Sequence, residues 1–195
     1  MALTLKFNLS DIMQQGFTDG QRRVLTPSIS STGIKVQFAR RAIEAILERT
    51  NQGKDKNNKS FKPYSTRYKK SREFKIYGKT SRVNLKLSGE MQASIHPGRS
   101  SGQTVTIAIT DPEQVGKARG HINGSGPLPV RDFWGLSMKD QVSILKEIFR
   151  VENAAARFEA LEEGLQDVLR EAAIGAGIDQ TATSVSVDVP SGEAL

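Results

Sequence analysis

The segment "GIKVQFARRAIEAILER", from Gly33 to Arg49, constrains the chain most. Ile34, Phe38, Ala42, Ile43 and Ile46 recur at helical spacing, and Arg40, Arg41, Glu44 and Glu48 fall on the other side. The spacing predicts an amphipathic helix with one apolar face, which other elements must cover. The preceding "TPSISSTG" is turn chemistry suited to opening that helix, and the following "NQGKDKNNKS" ends it in a polar, mobile loop.

Period-two stretches supply a partner for that face. Leu3, Leu5, Phe7 and Leu9 alternate in "LTLKFNLS", Val83, Leu85 and Leu87 in "VNLKL", and Val105, Ile107 and Ile109 in "QTVTIAIT". Ser65 is placed to cap a short helix running to about Ile76, with Tyr68 on one face and cations around the rest. Ser88 and Gly89 begin a turn or one helical turn through Met91, and Pro112 sits at the first position of a short helix that "HINGSGPLPV" follows as an irregular loop. Ser137 and Asp140 cap a helix bearing Val142, Leu145, Ile148 and Phe149 to about Arg150. A second helical pattern passes through Phe158, Leu161, Leu165, Val168, Leu169 and Ala172 and stops at Gly175 and Gly177. Val185, Val187 and Val189 alternate in a last strand-forming tail.

The expected fold is therefore α+β: a small antiparallel sheet packed with a central amphipathic helix and C-terminal helices, with extended arms at both ends. The division expected is an N-terminal arm over residues 1–30, an α+β domain over 31–150, and a C-terminal helix and tail over 151–195. Both arms carry alternating strands with little local partner, the arrangement used for strand addition to another chain. A length of 195 residues suits this plan, and aromatics at 6% imply a modest core.

Charge is unevenly placed. Lys35 to Arg82 holds fifteen Lys and Arg against four acids, a net +11, whereas Val151 to Leu195 holds two Arg against nine acids, a net −7. A basic front and an acidic back suit head-to-tail association in a ring, or else two solvated faces of opposite sign. The basic aromatic stretch "FKPYSTRYKKSREFKIYGKTSR" also allows a DNA-facing reading, with Lys59, Lys62, Arg67, Lys69, Lys70 and Arg72 on phosphates and Tyr64 or Tyr68 stacking. No helix-turn-helix, zinc or RNA-binding signature accompanies it, so any such contact would be non-specific.

Catalytic patterns are scarce. The absence of cysteine removes disulfides, thiolate metal sites and cysteine nucleophiles. His96 and His121 belong to no metal motif, and "GHINGSG" lacks the second ligand set that a metal-dependent nuclease needs. The glycines at 120, 124 and 126 lack a strand-to-helix nucleotide context, and Glu162 with Glu163 reads as a solvated pair. The expectation is a protein without enzymatic activity, cofactor or metal. No apolar run approaches the roughly 18 residues of a membrane span, and "MALTLKFNLS" lacks a signal peptide's basic start, so assembly in the cytoplasm without a membrane is expected.

One stretch remains unexplained by these patterns. "LPVRDFWGLS", residues 128–137, puts the chain's single tryptophan in a Pro- and Gly-punctuated loop, beside Phe133 and Leu136. Leu128, Val130, Phe133 and Leu136 are expected to seat the loop inward, with Arg131, Phe133 and Trp134 as anchors against a neighbouring subunit and Tyr64 and Tyr68 joining that interface. A loop buried in the chain's own core is the rival reading.

The order "FKPYSTRYKK", "VNLKLSGEMQASI", "GHINGSG" and "LPVRDFWGLS", followed by an amphipathic helix, resembles the virion morphogenesis or tail-completion family of tailed bacteriophages. The resemblance covers about residues 33–150 and rests on Tyr68-Lys69-Lys70, Leu85 through Ile95, His121 to Gly126, and Leu128 to Ser137. Asp132 stands where the family's last box more often has proline, and Trp134 where it has leucine. The resemblance implies a structural virion protein that forms a homo-oligomeric ring, six- or twelve-fold, at the head–tail junction or the head-proximal end of the tail. It would complete the tail and join it to the head. Implied partners are the portal or connector, the tail tube and, non-specifically, packaged DNA. A dodecameric neck protein under the portal and a non-specific DNA-binding protein are the alternatives.

Overall fold

In the computed structural model, which describes residues 2–86, 88–126 and 128–150, the long helix spans Thr32–Asn51 and is labelled α3. Ser31 starts it: its Oγ accepts from the Ile34 amide at 3.2 Å, satisfying one of the otherwise unpaired N–H groups of the first turn. Ile34, Phe38, Ala42 and Ile46 are fully buried along one side, as the spacing predicts, and Arg40, Arg41, Glu44 and Glu48 are exposed.

The sheet that covers this face has three antiparallel strands in the order β1-β3-β2. They are β1 (Leu3–Asn8), β2 (His96–Pro97) and β3 (Thr104–Ile109). α3 packs on β3 and β2. Central β3 presents Val105, Ile107 and Ile109 with no measurable exposure, the buried face of a period-two strand. The α+β class is thus present, with eight helices and these three strands among the described residues.

The N-terminal segment is not the unpartnered arm expected from its alternation. β1 has a partner within the chain, pairing with β3 along its whole length in the register Leu3↔Ile109, Leu5↔Ile107 and Phe7↔Val105. Phe7 then meets Phe38 edge-on at 5.4 Å. Asn8 closes the strand and caps α1 (Leu9–Gly16), its Oδ1 accepting from the Ser10 and Asp11 amides. Leu9, Ile12 and Met13 drive α1 into the core. α2 (Asp19–Leu25) follows behind a Thr18–Gln21 capping box. Leu3 to Leu25 are therefore the sheet's edge strand and two helices, not an arm, because the alternating apolar residues are buried by completing the sheet within the chain.

Four further elements differ from their expected form. The helix after Ser65 is two short ones, α4 (Thr66–Lys69) and α5 (Arg72–Ile76), because Ser71 caps a second start by accepting from the Phe74 amide. Residues 83–86 form no strand; Leu85 has φ 52°, which breaks the alternation, and the Asn84 carbonyl accepts from Gln92 Nε2 at 2.9 Å instead of a ladder partner. The Ser88–Gly89 turn leads into α6 (Glu90–Ala93). The helix opened by Asp111 and Pro112, α7, continues through Asn123, so His121 lies in its last turn rather than in a loop. Finally, the polar stretch after α3 is bonded to itself: Asp55 Oδ1 accepts from the Asn57 and Lys59 amides, and Phe61 N donates to Gly53 O at 2.8 Å.

The helix over residues 138–150, α8, begins at Ser137, whose Oγ accepts from the Asp140 amide and donates to the Asp140 carboxylate at 2.7 Å. Leu145, Ile148 and Phe149 are buried, and Phe149 meets Phe17 edge-on at 6.0 Å. Val142 lies so close to Gly16 that a methyl group there would come within 2.2 Å of it. The chain divides into two units, Met1–Arg150 and Val151–Leu195. The helix expected around Phe158 to Ala172 and the strand of Val185, Val187 and Val189 lie outside the described residues.

Candidate functional site

The box over residues 128–137 is held by backbone and side-chain bonds from three directions. Arg131 N donates to His121 O at 2.7 Å, tying the box to the end of α7. Lys56 N donates to Asp132 O at 2.8 Å, and Lys56 Nζ meets the Asp132 carboxylate at 2.7 Å, tying it to the loop after α3. Arg49, buried on α3, sends Nη2 to Phe133 O at 2.9 Å and to Gly135 O at 2.5 Å. These carbonyls have no strand or helix to pair with, so a guanidinium fork takes the place of a ladder.

That framework sorts the apolar residues of the box. Phe133, Trp134 and Leu136 are 1%, 8% and 8% exposed and belong to the main core, whereas Leu128 and Val130 are 42% and 54% exposed. The expectation that Phe133 and Trp134 anchor a neighbouring subunit is corrected: the chain covers both itself, so almost no surface is left for a partner to bury. Leu128 and Val130, expected to point inward, are the ones left outside.

Arg131 is brought together with Tyr64 and Tyr68. It is 4% exposed, and its guanidinium lies over the Tyr64 ring at 5.3 Å. Nε and Nη2 donate to Lys62 O at 3.3 and 3.1 Å, and Nη2 also reaches Pro63 O at 3.4 Å. Tyr64, Tyr68 and Phe74 form a mutual ring cluster with centroids 5.2 to 5.7 Å apart. The sequence reading placed these three side chains together as an interface; the structure brings Arg131, Tyr64 and Tyr68 to one cavity wall.

The cavity has a volume of about 760 Å³ between the ring cluster, the end of α7 and the box. Its cations are Arg67, Lys79, Lys86, Lys117 and Arg131, and no carboxylate lines it among the described residues. Lys117 is compensated at the surface by Glu113 at 2.7 Å and Glu90 at 3.7 Å. Burial lowers the Lys79 pKa, and the nearby Lys86 charge adds to that. Burial also lowers the Arg131 pKa, opposed only by Tyr64 and Tyr68. His121, also in the wall, is pushed down to about 4 by burial and then by the Arg131 charge, so it is neutral at pH 7. Its Nδ1 is enclosed and has no partner among the described residues.

Of the six cations read as DNA-facing, all are exposed, but only Arg67 reaches this cavity. Lys59, Lys62, Lys69, Lys70 and Arg72 are not part of its wall. Lys79, Lys86 and Lys117 were not expected here; the first two lie between α5 and α6 and the third on α7, and no local pattern signals that the fold converges them with Arg67 and Arg131. Among the described residues no group of three or more His, Asp or Glu side chains is gathered where it could hold a metal ion, and no helix is long and apolar enough to cross a membrane.

No family model, curated protein or solved structure matches this chain.

Proposed function

We propose that this chain is a structural protein of a tailed-phage virion, assembling into a ring at the head–tail junction or the head-proximal end of the tail and completing the join between them. The observation that carries the reading is the way the box splits. Its inner half is held in the core by Arg49, while Leu128 and Val130 stand exposed next to a cavity whose Arg67, Lys79, Lys86 and Arg131 make no ion pair among the described residues. A rigid core-seated loop that presents apolar groups and unpaired cations suits a protein whose work is burial of surface against neighbours. The motif order in the sequence supports a place at the head–tail joint, and the charge asymmetry of the chain supports head-to-tail contact. Ring action needs no cofactor, metal or turnover.

Two measurements test the reading. Particles assembled without the protein should accumulate as filled heads and detached tails; normally joined, infectious particles would overturn it. The mass of the ring recovered from virions then separates a six-fold tail-capping ring from a twelve-fold neck protein under the portal.

A further inference from the structure

A buried guanidinium is ordinarily matched by a carboxylate, because moving a lone charge out of water costs several kcal/mol. Arg49 follows that rule, with Asp140 at 3.9 Å and opposing the effect of burial on its pKa. Arg131 does not. It bonds to the Lys62 and Pro63 carbonyls and lies over the Tyr64 ring, makes no ion pair among the described residues, and shares its cavity with Arg67, Lys79, Lys86 and Lys117. Lys79 and Lys86 repel one another across the same space.

We propose that this cavity is the docking site for an acidic protein segment, whose carboxylates meet Arg131, Arg67, Lys79 and Lys86 while apolar side chains cover Leu128. The inference rests on the assembly reading for the identity of the partner, a neighbouring protein in the joint, but not for the chemistry of the site. The fold favours a peptide over a nucleic acid. Base binding on a basic surface relies on free aromatic faces, and here Tyr64 and Tyr68 are turned on each other and on Phe74, with Arg131 already over Tyr64. The site is also a concave space beside exposed Leu128 rather than a track of cations, since Lys59, Lys69, Lys70 and Arg72 lie outside it.

The test is fluorescence anisotropy on the full chain with a labelled peptide of alternating Glu and Leu, against a Gln and Leu peptide of equal length and a single-stranded oligonucleotide of equal charge. The Glu peptide is expected to bind, and the Gln peptide to bind about tenfold more weakly or worse, since loss of charge-assisted contacts carries that factor. Arg67→Gln with Lys86→Gln, both exposed in the cavity wall, should weaken the Glu peptide by a similar factor without changing thermal stability. Arg131→Gln is read alongside only if the variant melts normally. Equal binding of the Glu and Gln peptides overturns the proposal, as does undiminished binding by the double variant. So does an oligonucleotide that competes the peptide away at lower concentration. Because the assay needs neither ring nor virion, its failure is separate from a failure of the assembly reading, which the particle experiment decides.

Discussion

Arg49 Nη2 and the carbonyl oxygen of Phe133 lie 2.9 Å apart, although the residues are 84 positions apart in the chain. That bond, shared with Gly135 O, fixes the irregular box to the central helix. Arg49→Ala would leave the buried Gly135 carbonyl without a donor and Phe133 O with only the Gly135 amide at 3.1 Å. The expected loss is about 2–4 kcal/mol of unfolding free energy, measured by urea denaturation. Arg49→Lys should recover part of it, since an ammonium replaces one bond but not the fork. A loss under about 0.5 kcal/mol would mean that the box holds itself.

Trp134 is a core residue, 8% exposed and edge-on to Phe133 at 6.1 Å. Trp134→Ala should destabilise the isolated chain by about 3–5 kcal/mol, the range for removing a buried large aromatic. An unchanged melting temperature, with a defect visible only in assembly, would return Trp134 to an interface.

Gly16 and Val142 make a contact that tolerates no added carbon. Gly16→Ala should cost about 1–3 kcal/mol, as overpacking does. Val142→Ala, by freeing the space that the new methyl needs, should be less destabilising in the Gly16→Ala background than alone. Simple additivity in that double-mutant cycle would refute the contact.

His121 gives a pH signature. Its folded pKa, near 4, lies below the ordinary 6.5, so the unfolded chain binds the proton first. The resulting stability is fully present above about pH 6.5 and is lost as pH falls towards 4. His121→Gln should remove a pH-dependent component of about 3 kcal/mol between pH 7 and 4. The readout is the difference between the two stability–pH curves, which cancels the carboxylates common to both. Parallel curves would show that folding does not change the proton affinity of His121.

β1 should be protected rather than mobile. In hydrogen exchange on the dilute chain, the amides that pair β1 with β3 should exchange at least about a hundredfold more slowly than those of an unstructured peptide, as expected of a paired strand packed on a core. Fast exchange throughout residues 3–8 would restore the arm reading.

Period and capping chemistry determined much of this molecule from the sequence alone. The stripe from Ile34 to Ile46, the alternation from Val105 to Ile109, and the starts at Ser31, Pro112 and Ser137 are local signals, because helix and strand geometry and first-turn hydrogen bonds act over a few residues. Tertiary structure decided what those signals could not. Whether Leu3 to Leu9 pairs within the chain or outside it depends on a strand about a hundred residues away. The same pattern at Val83 and Leu85 was overridden by a positive φ at Leu85 and by the Gln92 side chain, which takes the Asn84 carbonyl. The inward turn of Trp134, the outward turn of Val130, and the meeting of Arg131, Lys79 and Lys86 around one cavity have the same cause. Each depends on contacts between distant segments, whose free energy belongs to the packed whole and leaves no periodic trace in any one of them.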